Sequence, residues 1–162
     1  IKVISTIGYF GSDYRKKQDH TQAFYQSIAI NLTGVGHFCL QLLQTHPNQK
    51  TRMILVGSAA STVGSRDIGY SVAKAGLNGL VISLSKCFAQ KGHSFIGLCP
   101  GIFESPMSEK VPQTRQNEAL QATHIKRKGT LSEIINMINY ITFKAPDYLT
   151  GSLLSISGGQ IN

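Results

Sequence analysis

The sequence predicts an α/β protein built on a parallel sheet with helices on its faces. Short runs of β-branched and other apolar residues alternate with longer runs whose apolar residues recur at helical spacing. Strand and helix in alternation are typical of parallel sheets, because parallel neighbours are joined by crossover connections that are usually helices. The chain has 162 residues, 41% of them hydrophobic, which is enough for a single domain over 1–162.

Four short runs are predicted strands, and each is bounded by residues that favour turns. Gly8 follows the first and Gly92 precedes the third, and both residues interrupt extended runs readily. The predicted strands cover residues 2–7, 53–57, 94–99 and 152–156.

Three longer runs are predicted helices. Apolar residues recur every three or four positions over 21–45 and again over 70–91, where Gly92 is placed as a C-terminal cap. Thr130 followed by Glu133 forms a capping box that opens the third helix.

The composition favours a cytoplasmic protein with no membrane segment. No apolar run approaches the roughly 20 residues that cross a bilayer, and the first ten residues lack the pattern of a signal peptide. The net charge of +8 suggests an acidic partner or a phosphorylated ligand. The basic runs 14–17 and 124–128 carry no aromatic interleaving, so we predict no nucleic-acid binding.

The three cysteines do not predict a disulfide framework or a metal site. Cys39, Cys87 and Cys99 are odd in number, lie in apolar segments and show no Cys-x-x-Cys spacing. We expect three reduced, buried thiols and no bound metal.

Polar and glycine-rich stretches follow three of the predicted strands. They are Gly8, residues 57–61 and residues 99–107. In open parallel sheets, ligands bind just beyond the carboxyl ends of the strands. The sequence therefore predicts that these three stretches meet at one edge of the sheet and form the functional site.

Ser58, Tyr70 and Lys74 are the candidate catalytic group at this edge. Ser58 ends a strand, Tyr70 begins the next helix, and Lys74 lies one turn later on the same helix face. A phenol that donates a proton near pH 7 needs its pKa lowered by about 3 units, worth about 4 kcal/mol. One ammonium about 4 Å away supplies about that free energy at an effective dielectric constant near 20.

The same tyrosine and lysine spacing recurs at Tyr140 and Lys144. These residues lie on the last predicted helix, and no strand end bearing a hydroxyl group precedes them. We interpret Tyr140 as a helix-packing residue and Lys144 as a solvated amine. The two tyrosine and lysine pairs are therefore distinguished by their location and not by their spacing.

Five ordered motifs resemble the short-chain dehydrogenase/reductase family. Ser58 and the Tyr70-x-x-x-Lys74 spacing match its catalytic signature, and Asn31 in "INLTG" matches the asparagine of the helix before the serine strand. "PGIFESPM" (100–107) is similar to its Pro-Gly segment, and "YLTGSLLSISGGQIN" (148–162) to its last strand and Gly-Gly ending. The resemblance implies a Rossmann-like fold and an NAD(P)-dependent oxidoreductase.

The resemblance also implies roles for individual residues. Tyr70 would protonate the substrate carbonyl, Lys74 would lower its pKa and hold the nicotinamide ribose, and Ser58 would hold the carbonyl. Asn31 would organise a water that links Lys74 to solvent; its alternative is a packing role. The implied contacts with NADP or NAD are Tyr70, Lys74, Gly8, Pro100, Gly101, Ile102 and Ser105, although an ordinary loop hydroxyl is nearly as good an interpretation of Ser105.

Within the family, the segment "RKGTLSEI" is most similar to 3-oxoacyl-[acyl-carrier-protein] reductases. Those enzymes take substrates on an acidic carrier protein, and Lys86 with Lys50 or Arg52 would be basic contacts for it; the alternative is that they are ordinary surface charges. The alternatives are a dehydrogenase of another small alcohol or sugar, and a noncatalytic binding or scaffold member.

The sequence departs from the family at its start. The glycine-rich Gly-x-x-x-Gly-x-Gly turn that receives the cofactor pyrophosphate is absent, so the family's N-terminal strands are missing from this sequence. We expect a preceding segment rather than a naturally shortened protein. Gly76 and Gly79 inside a helix suggest close helix packing between subunits, and hence a dimer or tetramer.

Overall fold

The computed structural model describes residues 1–11, 19–109 and 111–160, and within them four strands form one parallel sheet. Across the sheet the strands follow the order of the chain: β1 (Lys2–Ser5), β2 (Arg52–Val56), β3 (Ser94–Pro100) and β4 (Leu153–Ile156). The predicted parallel α/β sheet is confirmed. β1 ends earlier than predicted because the Ile7 carbonyl accepts a hydrogen bond from Lys74 rather than from a neighbouring strand.

Helices connect the strands and lie on both faces of the sheet. In the described parts of the chain they are α1 (His20–Ile28), α2 (Gly34–Thr45), α3 (Ala60–Val63), α4 (Ile68–Phe88), α5 (Pro106–Glu109), α6 (Gln113–Ala122) and α7 (Leu131–Phe143). The helix predicted over 21–45 is interrupted by a π-helical turn at Ala29–Thr33. The predicted cap at Gly92 is confirmed by its left-handed backbone, with φ of 83°, and the capping box of Thr130 and Glu133 opens α7.

Two apolar clusters hold the layers together. On one face α2 and α4 bury Val35, Leu77 and Val81 against Met53 and Phe95. On the other face, α7 buries Ile134 and Ile141 against Ile54, Ile96 and Leu98. β3 is buried along its whole length because helices cover both of its faces.

The two helical glycines differ in their surroundings, and Gly76 has an explanation within the chain. A Cβ on Gly76 would lie 2.5 Å from the Leu32 side chain, whereas one on Gly79 would meet nothing within 4 Å. The tightest backbone approach along α4 is at Gly69, where a Cβ would lie 3.1 Å from the Phe24 carbonyl oxygen. Gly76 therefore packs against the chain's own π-helical turn.

The thiols follow the prediction in part. Cys39 and Cys99 are buried, but Cys87 is exposed because it faces solvent from the last turn of α4. Burial raises the pKa of Cys39 to about 11. Within the described ranges, no group of three or more potential metal ligands is found, and none of the helices there has the length and hydropathy to cross a membrane. The basic run 14–17 lies outside the described residues.

Candidate active site

The carboxyl ends of the strands meet at one edge. Backbone hydrogen bonds continue past the strands, with the Gly57 amide donating to Leu98 O at 2.7 Å and the Ala59 amide donating to Pro100 O at 2.7 Å. On the other side of the edge, a Cβ on Gly8 would lie 3.1 Å from Met107 Cε. The predicted meeting of the three stretches is confirmed.

Lys74 is buried and tied to two strand ends. Its side chain is 2% exposed, and Nζ donates to Ile7 O at 2.7 Å and to Val56 O at 3.0 Å. An ammonium group has three N–H donors, so one remains for a further acceptor. Lys74 therefore links the ends of β1 and β2 and keeps one donor for a ligand hydroxyl.

Tyr70 lies between Ser58, Lys74 and Phe10. The Ser58 hydroxyl lies near enough to its phenol to lower the pKa of Tyr70, its ring centroid is 5.7 Å from Lys74 Nζ, and Phe10 meets the ring edge-on at 5.4 Å. The structure thus brings together the serine, tyrosine and lysine that the sequence predicted for this edge. Their catalytic roles remain a proposal.

The pKa of Tyr70 differs from the sequence-based expectation. Burial raises the pKa above its ordinary value of 10.0, the Ser58 hydroxyl lowers it, and the Asp67 carboxylate raises it further. Lys74, whose ammonium is held by two carbonyls, does not reverse this rise. In this geometry Tyr70 is a neutral phenol, which is the form that can donate a proton.

Asn31 lies in the π-helical turn and is fully buried. Its side chain pairs with the Tyr9 backbone like a neighbouring strand: Oδ1 accepts from Tyr9 N and Nδ2 donates to Tyr9 O, both at 2.7 Å. Nδ2 also donates to Ser27 Oγ at 3.1 Å. Both amide hydrogens are used, so the expected water would bind at the remaining lone pair of Oδ1.

Asp67 is a site residue that the sequence reasoning missed. It is fully buried at the N-cap of α4, where Oδ1 accepts from Tyr70 N at 2.8 Å. The other oxygen, Oδ2, accepts from Gly11 N at 2.9 Å. Asp67 therefore ties the loop after β1 to the residue that carries the phenol. An aspartate three positions before the first helical tyrosine was a readable cap signal.

We expect Asp67→Asn to destabilise the fold by about 1 kcal/mol, because asparagine still caps α4 but its NH₂ group cannot accept from Gly11 N. Asp19→Asn is the matched control, since Asp19 caps α1 by accepting from Gln22 N at 2.9 Å, which asparagine can also do, and it should change little. The free energy of unfolding in urea measures both. Equal effects of the two substitutions would show that the bond to Gly11 contributes nothing.

The four residues of the Pro-Gly segment that the resemblance assigns to the cofactor lie in different surroundings. Pro100 ends β3, and Gly101 lies so close to the backbone of Ser157 that an added Cβ would be 2.9 Å from its Cα. Ile102 lines a cavity on the α7 side of the sheet. The Ser105 hydroxyl accepts from Ser108 N at 3.1 Å and thus caps α5.

The low pKa of Lys74 makes the stability of the fold increase with pH. Between the folded value of about 8 and the ordinary value of 10.5, the unfolded chain binds a proton that the folded chain does not. Stability therefore rises with pH in this window, by about 1 kcal/mol between pH 7 and pH 9. The stability difference between wild type and Lys74→Met, measured by urea denaturation at several pH values, should show this rise. A flat difference for Lys74→Met would mean that Lys74 keeps its ordinary pKa.

The comparisons with known proteins agree with this geometry. Residues 3–160 match the profile of a family described as "Enoyl-(Acyl carrier protein) reductase". Because the match spans nearly the whole sequence, the chain belongs to this branch of the short-chain dehydrogenase/reductase family.

The chain spans only about half to two thirds of the length of its individual relatives. The chain is 29% identical over 135 residues to the 3-oxoacyl-[acyl-carrier-protein] reductase FabG of Buchnera aphidicola subsp. Schizaphis graminum, covering 82% of this chain and 55% of the relative. A short-chain dehydrogenase/reductase structure from Brucella melitensis, titled glucose/ribitol dehydrogenase, has a TM-score of 0.84 at 27% identity, over 99% of this chain and 65% of that one. The NADPH complex of actinorhodin polyketide ketoreductase has a TM-score of 0.83 at 22% identity, over 99% and 67%, and shows the fold alone.

Proposed function

We propose that this chain is the carbonyl-reducing part of an NAD(P)-dependent reductase that acts on 3-oxoacyl thioesters. The observation that carries the proposal is the group of Ser58, Tyr70 and Lys74 at one sheet edge. Relatives named as 3-oxoacyl-[acyl-carrier-protein] reductases support the choice of substrate.

Tyr70 has the position and protonation state of a general acid. Its neutral phenol, beside the Ser58 hydroxyl, would donate its proton to the carbonyl oxygen as that oxygen gains negative charge. The Ser58 hydroxyl would hold the same oxygen, and the charge of Lys74 would stabilise the phenolate that remains. A water bound at Asn31 would return a proton from solvent, as the resemblance implies.

The residues at this edge fit the nicotinamide end of a dinucleotide. Lys74 keeps one N–H for a ribose hydroxyl, and Gly8 offers bare backbone opposite α5. A reduced nicotinamide bound there supplies the hydride. The sequence given contains no glycine-rich turn for the pyrophosphate, so the proposal places only the nicotinamide half on these residues.

The carrier protein remains a proposed partner, and of the two alternatives for its second basic contact, Lys50 and Arg52, the contacts of Arg52 favour Lys50. Lys86 and Lys50 are exposed. Arg52 instead packs at the end of α7, where it donates to Ile141 O at 2.6 Å and to Ala145 O at 2.8 Å. Lys86 and Lys50 are therefore the better candidates for contacts with an acidic carrier.

A homo-oligomer and a cytoplasmic location belong to the same proposal. Large apolar side chains are exposed on α7, where Ile135 is 45% and Phe143 is 67% exposed. A stable, well-folded monomer in sedimentation would contradict the expected dimer or tetramer.

Oxidation of NADPH and NADH by the full-length protein, followed by nicotinamide absorbance with acetoacetyl-coenzyme A, tests the proposed reaction. We expect cofactor oxidation that depends on the thioester. The similarity to the Brucella glucose/ribitol dehydrogenase supports a second candidate, oxidation of a polyol. Reduction of NADP⁺ or NAD⁺ by ribitol, without activity on the thioester, would favour that candidate. Inactivity in both assays would favour a noncatalytic member of the family.

A further inference from the structure

A row of polar side chains crosses the sheet at its amino edge, far from the candidate active site. Lys2, Arg52 and Ser94 are in register on β1, β2 and β3. Because side chains alternate along a strand, this row shares the face of Ile54 and Ile96, which pack against α7. Polar residues on an otherwise apolar face require hydrogen-bond partners.

The guanidinium of Arg52 has its hydrogen-bond partners within the chain. It donates to two carbonyl oxygens at the carboxyl end of α7 and forms an ion pair with Asp147 at 2.5 Å. These contacts neutralise the partial negative charge of the helix end. The charge of Arg52 is therefore used within the fold, and Arg52 is not a candidate for binding a ligand.

The hydroxyl of Ser94 lacks a hydrogen-bond partner among the described residues. The residue is only 3% exposed. An unpaired buried hydroxyl is destabilising, and most such groups in native structures have a partner. Ser94 lines a cleft of about 300 Å³, from which a ligand atom could supply the missing partner.

The same cleft has an excess of positive charge. Lys2 lines it with Nζ held 4.1 Å above the Phe143 ring. The aliphatic stem of Lys50 crosses Gly92 at the rim, at 3.2–3.5 Å from the position of an added Cβ. Asp147 is the one carboxylate among the described lining residues, and it is paired with Arg52. Lys2 and Lys50 thus line the cleft, and among the described residues neither forms an ion pair with a carboxylate.

We propose that this cleft binds a phosphoryl group, either as inorganic phosphate or as part of a phosphorylated metabolite. Ser94 Oγ donates a hydrogen bond to one phosphoryl oxygen, and Lys2 and Lys50 balance the two negative charges. Charge-assisted bonds of this kind are roughly twice as strong as neutral ones. The cleft lies at the opposite end of the strands from Tyr70, so the site is separate from the proposed catalytic residues and shares only Lys50 with the proposed carrier contacts.

Thermal unfolding of the full chain at constant ionic strength, with sodium phosphate or sodium chloride, tests the site. A tenfold excess over Kd should raise Tm by about 3 °C in phosphate but not in chloride. Ser94→Ala and Lys50→Gln should each lose at least half of this shift. Lys86→Gln is the matched control, because it removes the same charge from an exposed position on α4 outside the cleft, and it should keep the whole shift.

A parallel titration with glycerol 3-phosphate distinguishes the two sources of the phosphoryl group. A larger shift than with phosphate assigns the cleft to a phosphorylated metabolite, and an equal or smaller one assigns it to the free ion; both support the site. No phosphate-specific shift in the wild type, or equal shifts in all four proteins, would overturn the proposal.

Discussion

We expect Tyr70→Phe to lower the rate of carbonyl reduction by about 10² to 10⁴-fold, because it removes the proton that a general acid transfers in the transition state. The phenylalanine ring keeps the edge-on contact with Phe10, so the fold should survive. The rate of acetoacetyl thioester reduction by the full-length protein measures the loss, and circular dichroism confirms that the variant is folded.

Tyr140→Phe is the matched control for this substitution. Tyr140 has the same spacing to a lysine but is 49% exposed on α7, and its replacement should leave the rate within about twofold of wild type. Full activity of Tyr70→Phe would refute the assigned role of the phenol. Equal losses in both variants would point to damage elsewhere.

We expect Asn31→Ala to reduce the free energy of unfolding by about 3 kcal/mol. The substitution removes three hydrogen bonds and leaves both the amide and the carbonyl of Tyr9 without their partner. Because this pair holds the loop that also binds Lys74 through Ile7 O, the reduction rate should fall with stability. Urea denaturation gives the free energy, and the thioester assay gives the rate.

Asn136→Ala provides the comparison for Asn31→Ala. Asn136 is an exposed asparagine on α7, so its replacement should change stability by less than about 0.5 kcal/mol. A similar small effect for Asn31→Ala would show that the loop after β1 does not depend on the asparagine.

The sheet and the position of the site could be predicted because they follow from strong local patterns. The strand ends at Gly8 and Gly57 and the helix starts near Asp67 and Thr130 carry signals in neighbouring residues. Parallel connectivity then places all carboxyl ends on one edge. The convergence of Ser58, Tyr70 and Lys74 on this edge was predictable for the same reason.

Features that depend on distant contacts could not be read from the sequence. The π-helical turn around Asn31 is stabilised by Tyr9, 22 residues earlier, and Arg52 is held by residues about 90 positions later. The pKa of Tyr70 depends on how much solvent the fold removes, which residue spacing does not show. Likewise, Ile102 and Ser105 occupy their motif positions, but tertiary packing decides which way they face.

Transfer of deuterium from NADPH labelled at the nicotinamide C4 position tests the central claim most directly. If the edge formed by Ser58, Tyr70 and Lys74 reduces a carbonyl, mass spectrometry of the 3-hydroxyacyl product should show one deuterium per molecule from one of the two C4 epimers and none from the other. Tyr70→Phe should give almost no labelled product. Failure of the wild-type protein to form labelled alcohol from either epimer, and from the corresponding NADH epimers, would contradict the assignment of this edge as a carbonyl-reducing site.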